Sequence, residues 1–349
     1  MATDENALLE AYRPSLIRVN ENLTVAAFPL MKIFPAEFCV RRALEDSNLN
    51  TGGMVLETSS GTMALGLALV CNWRGLRLTV VTDTGCDVPL RRRLTDLGAQ
   101  LEVVAGPCAH GGYQHARLER LREIQSRTPD AWWLNQYDNP GNSASYSRVA
   151  ALITERVGRV DCLVGSVGSG GSMCGLSRYL RVLFPEMFVV GVDTFGSVLF
   201  GQPDRPRKLR GLGNSLMPRN LDHTAFNEVH WVTASEAYHA TRMLHRQKSL
   251  FRGGTSGASW LVAQYWARRN QDKQVVCLLP DEGHRYAFSI YDDEVLSREG
   301  LSIESLPAEP IEITVPTETP SQWAWLRWNR RTYAAVLSAG PAKPLTTYE

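Results

Sequence analysis

Short apolar runs alternate with longer amphipathic stretches along most of the chain. Period-two and fully apolar segments predict strands at Met54–Glu57, Leu76–Thr82, Gln100–Val104, Cys162–Gly165, Phe188–Val192 and Val275–Leu279. Between them, a 3.6-residue repeat of apolar positions predicts helices at Thr62–Trp73, Val88–Leu97, Tyr146–Val157, Ser172–Leu183, Ser235–Gln247 and Thr255–Arg269, with an arginine-rich helix at His115–Ser126. A helix is also expected after Lys32, because Pro35 suits a first helical turn. Strand–helix alternation of this kind implies mostly parallel sheets covered on both faces. Two such units in series, divided near residue 150, predict an α/β protein of two three-layer domains with a cleft between them.

From Pro307 the pattern changes. Pro, Thr and Glu dominate, followed by Trp323, Trp325 and Trp328 beside Arg327, Arg330 and Arg331. Ile311–Val315 can form a strand, and Trp323 and Trp325 alternate as a strand would, but Trp328 breaks the alternation. The tail is read as an appendage that packs on the body or on a second subunit, in preference to a nucleic-acid patch.

Composition narrows the classes without choosing among them. The chain has 349 residues, 44% hydrophobic and 21% charged, with a net charge of +1. Near-neutral charge argues against nucleic acid or an acidic membrane surface as partner. No apolar run approaches the roughly 20 residues of a membrane span, and the first residues are polar and acidic, unlike a secretory signal. Seven cysteines without metal-like spacing lie mostly in apolar segments, as expected of reduced thiols in the cytoplasm. The seven histidines are scattered, and no metal site is expected.

Two features carry chemistry. Residues 161–175 run from an apolar strand into Gly168-Ser169-Gly170-Gly171-Ser172 at the start of a helix. Backbone N–H groups at such a turn cradle an anion, and glycines let the chain approach it closely. No Gly-Lys-Ser/Thr follows, so the loop lacks the nucleotide-binding pattern; a group with a single phosphate fits better than a ligand-free turn. The second feature is Lys32, the only lysine in the first 207 residues, at the junction of an apolar stretch and a helix. Partial desolvation at a junction suits an amine that forms a Schiff base, although a snorkelling lysine has the same signature.

Taken with these, seven blocks follow one another in the order of a known family. They are Arg13-Pro-Ser-Leu-Ile-Arg, Glu57-Thr-Ser-Ser-Gly-Thr-Met-Ala, Gln136-Tyr-Asp-Asn-Pro-Gly-Asn, Gly165 to Gly175, Arg210-Gly-Leu-Gly-Asn, Gly254-Thr-Ser-Gly-Ala and Asp281-Glu-Gly-His-Arg-Tyr. The chain from about Tyr12 to Leu296 resembles the cysteine synthase (O-acetylserine sulfhydrylase) and cystathionine β-synthase branch of the fold-type II pyridoxal-phosphate enzymes. The resemblance implies a tryptophan synthase β-like fold. Residues 1–45 and 151–306 would form a larger cofactor domain, 46–150 a smaller substrate-loop domain, and 307–349 a C-terminal extension.

By the same resemblance, Lys32 would attach pyridoxal 5′-phosphate and move the substrate α-proton. A rival alignment matches Glu37-Phe-Cys-Val-Arg-Arg-Ala-Leu to a related lysine motif; it puts Cys39 at that position and yields a non-catalytic homologue. Gly168, Ser169, Gly170, Gly171 and Ser172 would hold the cofactor phosphate. Ser59, Ser60, Gly61 and Thr62, with Gln136 opposite, would hold the substrate carboxylate, and the first of these also suit a helix N-cap. Thr62 stands where the family has an asparagine on the cofactor 3′-oxygen, and Met63 replaces a threonine. Where serine is common near the pyridine nitrogen, this chain offers Asp281 and Glu282. The implied activity is β-replacement on serine or an O-activated serine through an aminoacrylate, with sulfide, a thiol or an amine as nucleophile. A β-eliminating lyase and a regulatory scaffold are the alternatives. The implied assembly is a homodimer acting on a small amino-acid substrate.

Overall fold

The computed structural model describes residues 4–109, 112–209 and 211–338. Among the described residues, twelve strands form two sheets: β1 (Ser15–Arg18), β2 (Leu23–Ala27), β3 (Met54–Thr58), β4 (Arg77–Asp83), β5 (Gln100–Val104), β6 (Trp132–Trp133), β7 (Cys162–Ser166), β8 (Phe188–Asp193), β9 (Glu228–Trp231), β10 (Val275–Leu279), β11 (Ile311–Glu312) and β12 (Ala324–Arg327). The larger sheet has the order β1-β2-β10-β7-β8-β9-β12-β11 and the smaller β5-β4-β3-β6. All pairs of the smaller sheet are parallel, as are β2 through β9 in the larger. β1 on β2 and β12 on β9 are antiparallel.

The strands that read as uninterrupted apolar runs are the central ones. β2, β7 and β10 are buried at every position, because helices cover both faces of the large sheet. One core cluster joins Phe28, Ile33, Leu163 and Leu278 on one face; a second joins Val25, Val164, Cys277 and Trp260 on the other. A smaller cluster under the second sheet holds Leu56, Val81 and Leu121. The alternation of side chains along each strand distributes its residues between these cores.

The C-terminal segment is part of the large sheet. β12 pairs with β9, Ala324 opposite Trp231 and Arg327 opposite Glu228. Trp323 and Trp328 are fully buried. The Trp323 indole donates to His230 Nδ1 at 3.1 Å and the Trp328 indole to the Arg331 carbonyl at 2.8 Å. Trp328 also packs edge-on to Phe200 and stacks on His223. The strand expected over Ile311–Val315 is shorter, Ile311–Glu312. Residues 339–349 of the tail and Arg210 of the fifth motif lie outside the described residues. No helix among the described residues is long and apolar enough to cross a membrane.

Candidate active site

The carboxyl ends of β2, β3, β7 and β10 converge on one cleft between the two sheets, where ligands of open parallel sheets bind. β7 delivers Val167 to Gly170, and the helix Gly171–Leu183 follows. Gly170 has φ +81°, and a Cβ there would lie 2.7 Å from the Leu221 Cα. A Cβ on Gly171 would lie 2.2 Å from Asn142 Oδ1. Only glycine permits this turn, which leaves the helix N-terminus facing the cleft with Ser166, Ser169 and Ser172 beside it. Asn142 braces the loop from behind, donating to Ser169 Oγ at 3.1 Å and to the Gln136 carbonyl at 2.7 Å.

Lys32 precedes the helix Ile33–Glu45 and points into the same cleft. Its backbone is fixed on two sides. Met31 N donates to the Pro280 carbonyl at 2.8 Å beyond β10, and a Cβ on Gly66 would lie 2.8 Å from the Lys32 carbonyl oxygen, so helix Thr62–Trp73 presses on it. The Lys32 ammonium donates to Ser169 Oγ at 3.2 Å. Burial lowers its pKa to about 8 against the opposing pull of Glu57. Cys39 lies within the helix, buried against Gly141, and burial raises its thiol to about 12. It does not line the cleft. Lys32, and not the Cys39 of the rival alignment, is the residue that the fold brings to the cleft.

Ser59, Ser60, Gly61, Thr62 and Met63 form the facing wall. Ser59 Oγ accepts from Gly61 N at 3.1 Å and Ala64 N at 3.3 Å, so it also tightens the helix start. Gln136 lines the cleft and its side chain donates to the Thr58 carbonyl at 3.0 Å. Glu57 ties both walls together. Its carboxylate accepts from Thr58 N at 2.7 Å, Gln136 N at 3.0 Å and Trp133 Nε1 at 3.4 Å. Burial raises Glu57 to about 7 in spite of these bonds and of Arg117 nearby.

Asp281, the second residue after β10, is 5% exposed and lines the cleft. Its Oδ2 accepts from the Tyr286 hydroxyl at 2.6 Å; its Oδ1 has no partner. Burial raises its pKa, opposed by the Tyr286 bond and by Arg285 and Arg252. Glu282 is exposed and does not line the cleft. Of the residues expected from the sequence, Lys32, Ser59 to Thr62, Gln136, Gly168, Ser169, Ser172 and Asp281 line the cleft, Gly170 and Gly171 shape the turn behind the lining, and Glu282 stays outside it.

Among the cleft residues assigned no role from the sequence are Gln114, Arg117, Tyr137 and Arg285. Arg117 comes from helix Gly112–Arg127, is 4% exposed, and pairs with Asp83 at 3.1 Å, while its Nε has no hydrogen-bond partner. Gln114 donates to the Tyr137 hydroxyl at 3.3 Å. Arg285 binds the Asp87 carboxylate and donates to the Ser60 carbonyl at 3.0 Å, joining its loop to the opposite wall. A faint signal for Arg117 existed: it lies four residues before buried Leu121, on the inward face of its helix.

Residues 30–281 match the model of the pyridoxal-phosphate dependent enzyme family. The chain belongs to that family. Among characterised relatives, N-(2-amino-2-carboxyethyl)-L-glutamate synthase of Cupriavidus metallidurans is 36% identical over 270 residues, covering 76% of this chain and 79% of that protein. The enzyme of the same name from Ralstonia nicotianae is 38% identical over the same shares. The fold matches that of O-acetylserine dependent cystathionine β-synthase from Helicobacter pylori with a TM-score of 0.74 at 22% identity, over 82% of this chain and 97% of that one. The fold is therefore the two-sheet, tryptophan synthase β-like form of the pyridoxal-phosphate dependent enzymes. The cleft fits the family's cofactor on its own terms. A glycine-lined helix N-terminus suits the phosphate, and a desolvated amine suits the aldehyde.

Proposed function

We propose that the chain joins the amino group of L-glutamate to Cβ of an O-activated L-serine, most simply O-phospho-L-serine, to give N-(2-amino-2-carboxyethyl)-L-glutamate. β-Replacement follows from the family and its amino-acid substrates. The choice of glutamate follows the two relatives identical at 36% and 38%. The choice of donor rests on Arg117, a buried guanidinium among the cleft's lining residues, suited to a leaving group of high negative charge.

Bound pyridoxal phosphate supplies the electron sink for the pair left at Cα. Lys32 attaches it and carries the Cα proton. With a pKa near 8, roughly a tenth of its amines are neutral at pH 7, several hundred times the fraction of an ordinary lysine. Gly168, Ser169, Gly170, Gly171 and Ser172 hold the phosphate through backbone N–H groups and hydroxyls. Ser59, Ser60, Gly61 and Thr62, with Gln136, hold the substrate carboxylate at the N-terminus of helix Thr62–Trp73. The Cβ–O bond breaks with its electron pair leaving on the phosphate, Arg117 balances that charge, and the glutamate nitrogen bonds to Cβ as it gives up a proton to solvent.

Residues 1–45 and 151–306 serve in this reading as the cofactor-holding unit and 46–150 as the unit bearing the substrate loop. The assembly is a homodimer in the cytoplasm, a compartment in keeping with seven unpaired cysteines. Purified protein supplied with O-phospho-L-serine and L-glutamate tests the reaction by mass spectrometry. The expected product needs both substrates. Faster conversion with sulfide in place of glutamate, or release of pyruvate in step with donor loss, refutes the assignment.

A further inference from the structure

Arg285 and Asp87 join the two sheets at the cleft through an ion pair. Arg285 belongs to the loop after β10 of the larger sheet, and Asp87 to the loop after β4 of the smaller one. The Asp87 carboxylate serves two partners. Its Oδ1 accepts from Leu90 N at 2.8 Å and caps the helix Val88–Asp96, while its Oδ2 accepts from Arg285 Nε. The same guanidinium reaches a second point on the smaller sheet, where Nη2 donates to the Ser60 carbonyl at 3.0 Å. A Cβ on Gly61 would lie 3.5 Å from Nη1, so the turn Ser60–Gly61 rests against the guanidinium. A planar fork of fixed N–H groups suits this two-point hold; a flexible ammonium would not fix both points.

The other end of Arg285 is also tied. Its guanidinium lies 5.5 Å from the centroid of the Tyr286 ring, and the Tyr286 hydroxyl donates to Asp281 Oδ2 at 2.6 Å. One residue back, the Pro280 carbonyl accepts from Met31 N and supports Lys32. A short relay thus runs from the strand end that places Lys32, through Asp281, Tyr286 and Arg285, to the turn Ser60–Gly61. The span between those two points matters. Lys32 must reach Cα of a substrate whose carboxylate is held on the far wall, and an error of about an ångström in that span is costly. Elsewhere in the cleft Ser215 N donates to Gln114 Oε1 at 2.6 Å, so the sheets keep another contact when the Arg285 pair is lost.

We propose that Arg285 is a positioning residue: clasped to Asp87 and to the Ser60 carbonyl, it holds the substrate-carboxylate turn in register with Lys32. The turn cannot swing away from the cleft without breaking a charge-assisted pair. The inference rests on the reading that Ser59 to Thr62 bind the substrate carboxylate, and it names what holds them there.

The test uses the full-length protein loaded with pyridoxal phosphate. The cofactor's visible absorbance is followed as O-phospho-L-serine is added, with O-phosphoethanolamine, the same molecule without its carboxylate, as competitor. Asp87→Asn removes the charge and keeps the helix cap, which asparagine makes as well as aspartate. Asp87→Asn and Arg285→Met are each expected to raise the half-saturating concentration of O-phospho-L-serine about 10- to 100-fold and to leave competition by O-phosphoethanolamine unchanged. The double variant is expected to be no worse than the weaker single one, since the two residues act as one unit. Arg285→Lys, which keeps the charge and gives up the second point, should fall between wild type and Arg285→Met. An unchanged response to O-phospho-L-serine in Asp87→Asn overturns the proposal. So does an equal loss for both ligands, or losses that multiply in the double variant. If Arg285→Met fails to fold, Asp87→Asn alone decides. A wild-type protein that prefers O-phospho-L-serine no more than O-phosphoethanolamine overturns instead the carboxylate reading of the turn.

Discussion

Replacing Lys32 by Met should make the cofactor-free protein more stable while abolishing its chemistry. The folded-state pKa of Lys32 falls from 10.5 to about 8 because the ammonium loses water. Each unit corresponds to about 1.4 kcal/mol, so keeping the charge in the cleft costs about 3 kcal/mol at pH 7. The cleft admits solvent and Lys32 is only partly buried, which screens the charge and brings the figure to about 2–3 kcal/mol. Met is close in length and uncharged. Ser169 Oγ keeps its bond from Asn142, so no acceptor is orphaned. With an unfolding entropy of about 2.1 cal/mol/K per residue, a 349-residue chain should melt about 3–4 °C higher. The sign has a pH signature. A lysine lowered in the folded state costs its full amount below pH 8 and progressively less as pH rises toward 10.5, so the gain from Lys32→Met should shrink over that window. Differential scanning fluorimetry of both apoproteins at pH 7 and pH 10 measures it. An unchanged or lower melting temperature at pH 7, or a gain independent of pH, would refute the view that Lys32 is a desolvated amine.

Arg117→Met should raise KM for O-phospho-L-serine about 10- to 100-fold, the worth of a charge-assisted contact, and leave O-acetyl-L-serine little affected; steady-state kinetics with both donors checks this. Gly171→Ala should weaken cofactor binding at least about tenfold in an absorbance titration, because the new Cβ lies 2.2 Å from Asn142 Oδ1, and Asn142→Ala in the same chain should restore part of it. Trp328→Ala should cost about 3–5 kcal/mol and depress the melting temperature by several degrees, since the indole is fully buried. Glu57→Gln concerns a carboxyl raised above its ordinary value of 4.5 to about 7, which makes the charged form costly. Wild-type stability should therefore fall relative to Glu57→Gln as pH rises from 4.5 to 7 and run parallel to it above; a thermal-melt series at matched ionic strength reads the difference.

The chain announces the parts of its site that need a special residue. Gly168 to Ser172 form a turn with few other uses, Lys32 gains its meaning only beside that turn and the order of the motifs, and the strands behind them are apolar because both faces are covered. Residues whose role comes from direction alone were not legible. Arg117 resembles Arg120, Arg122 and Arg127 of the same helix until the fold turns it inward beside Asp83. Asp281 and Glu282 are interchangeable in a sequence; the turn after β10 buries one and exposes the other. The tail showed the alternation of a strand at Trp323 and Trp325, but its partner in the sheet was hidden. β12 finds its place through Trp323 against His230, and β9 carries a glutamate and a histidine in a stretch of four residues, too polar a pattern to read as a strand.

The pairing of β2 with β10 sets a timetable for synthesis. Lys32 hangs from the end of β2, yet the strand that fixes it, Val275–Leu279, is translated some 250 residues later. At about 5–20 residues per second, the ribosome needs on the order of tens of seconds to bridge that interval. Until then β2 has only β1 as a neighbour and the lysine segment has no Pro280 to bind. The smaller sheet, contained within residues 54–133, can assemble on the nascent chain well before this. The growing polypeptide therefore acquires its substrate loop first and its cofactor lysine last, and a prematurely released chain ending before β10 would retain Lys32 without the strand that orients it.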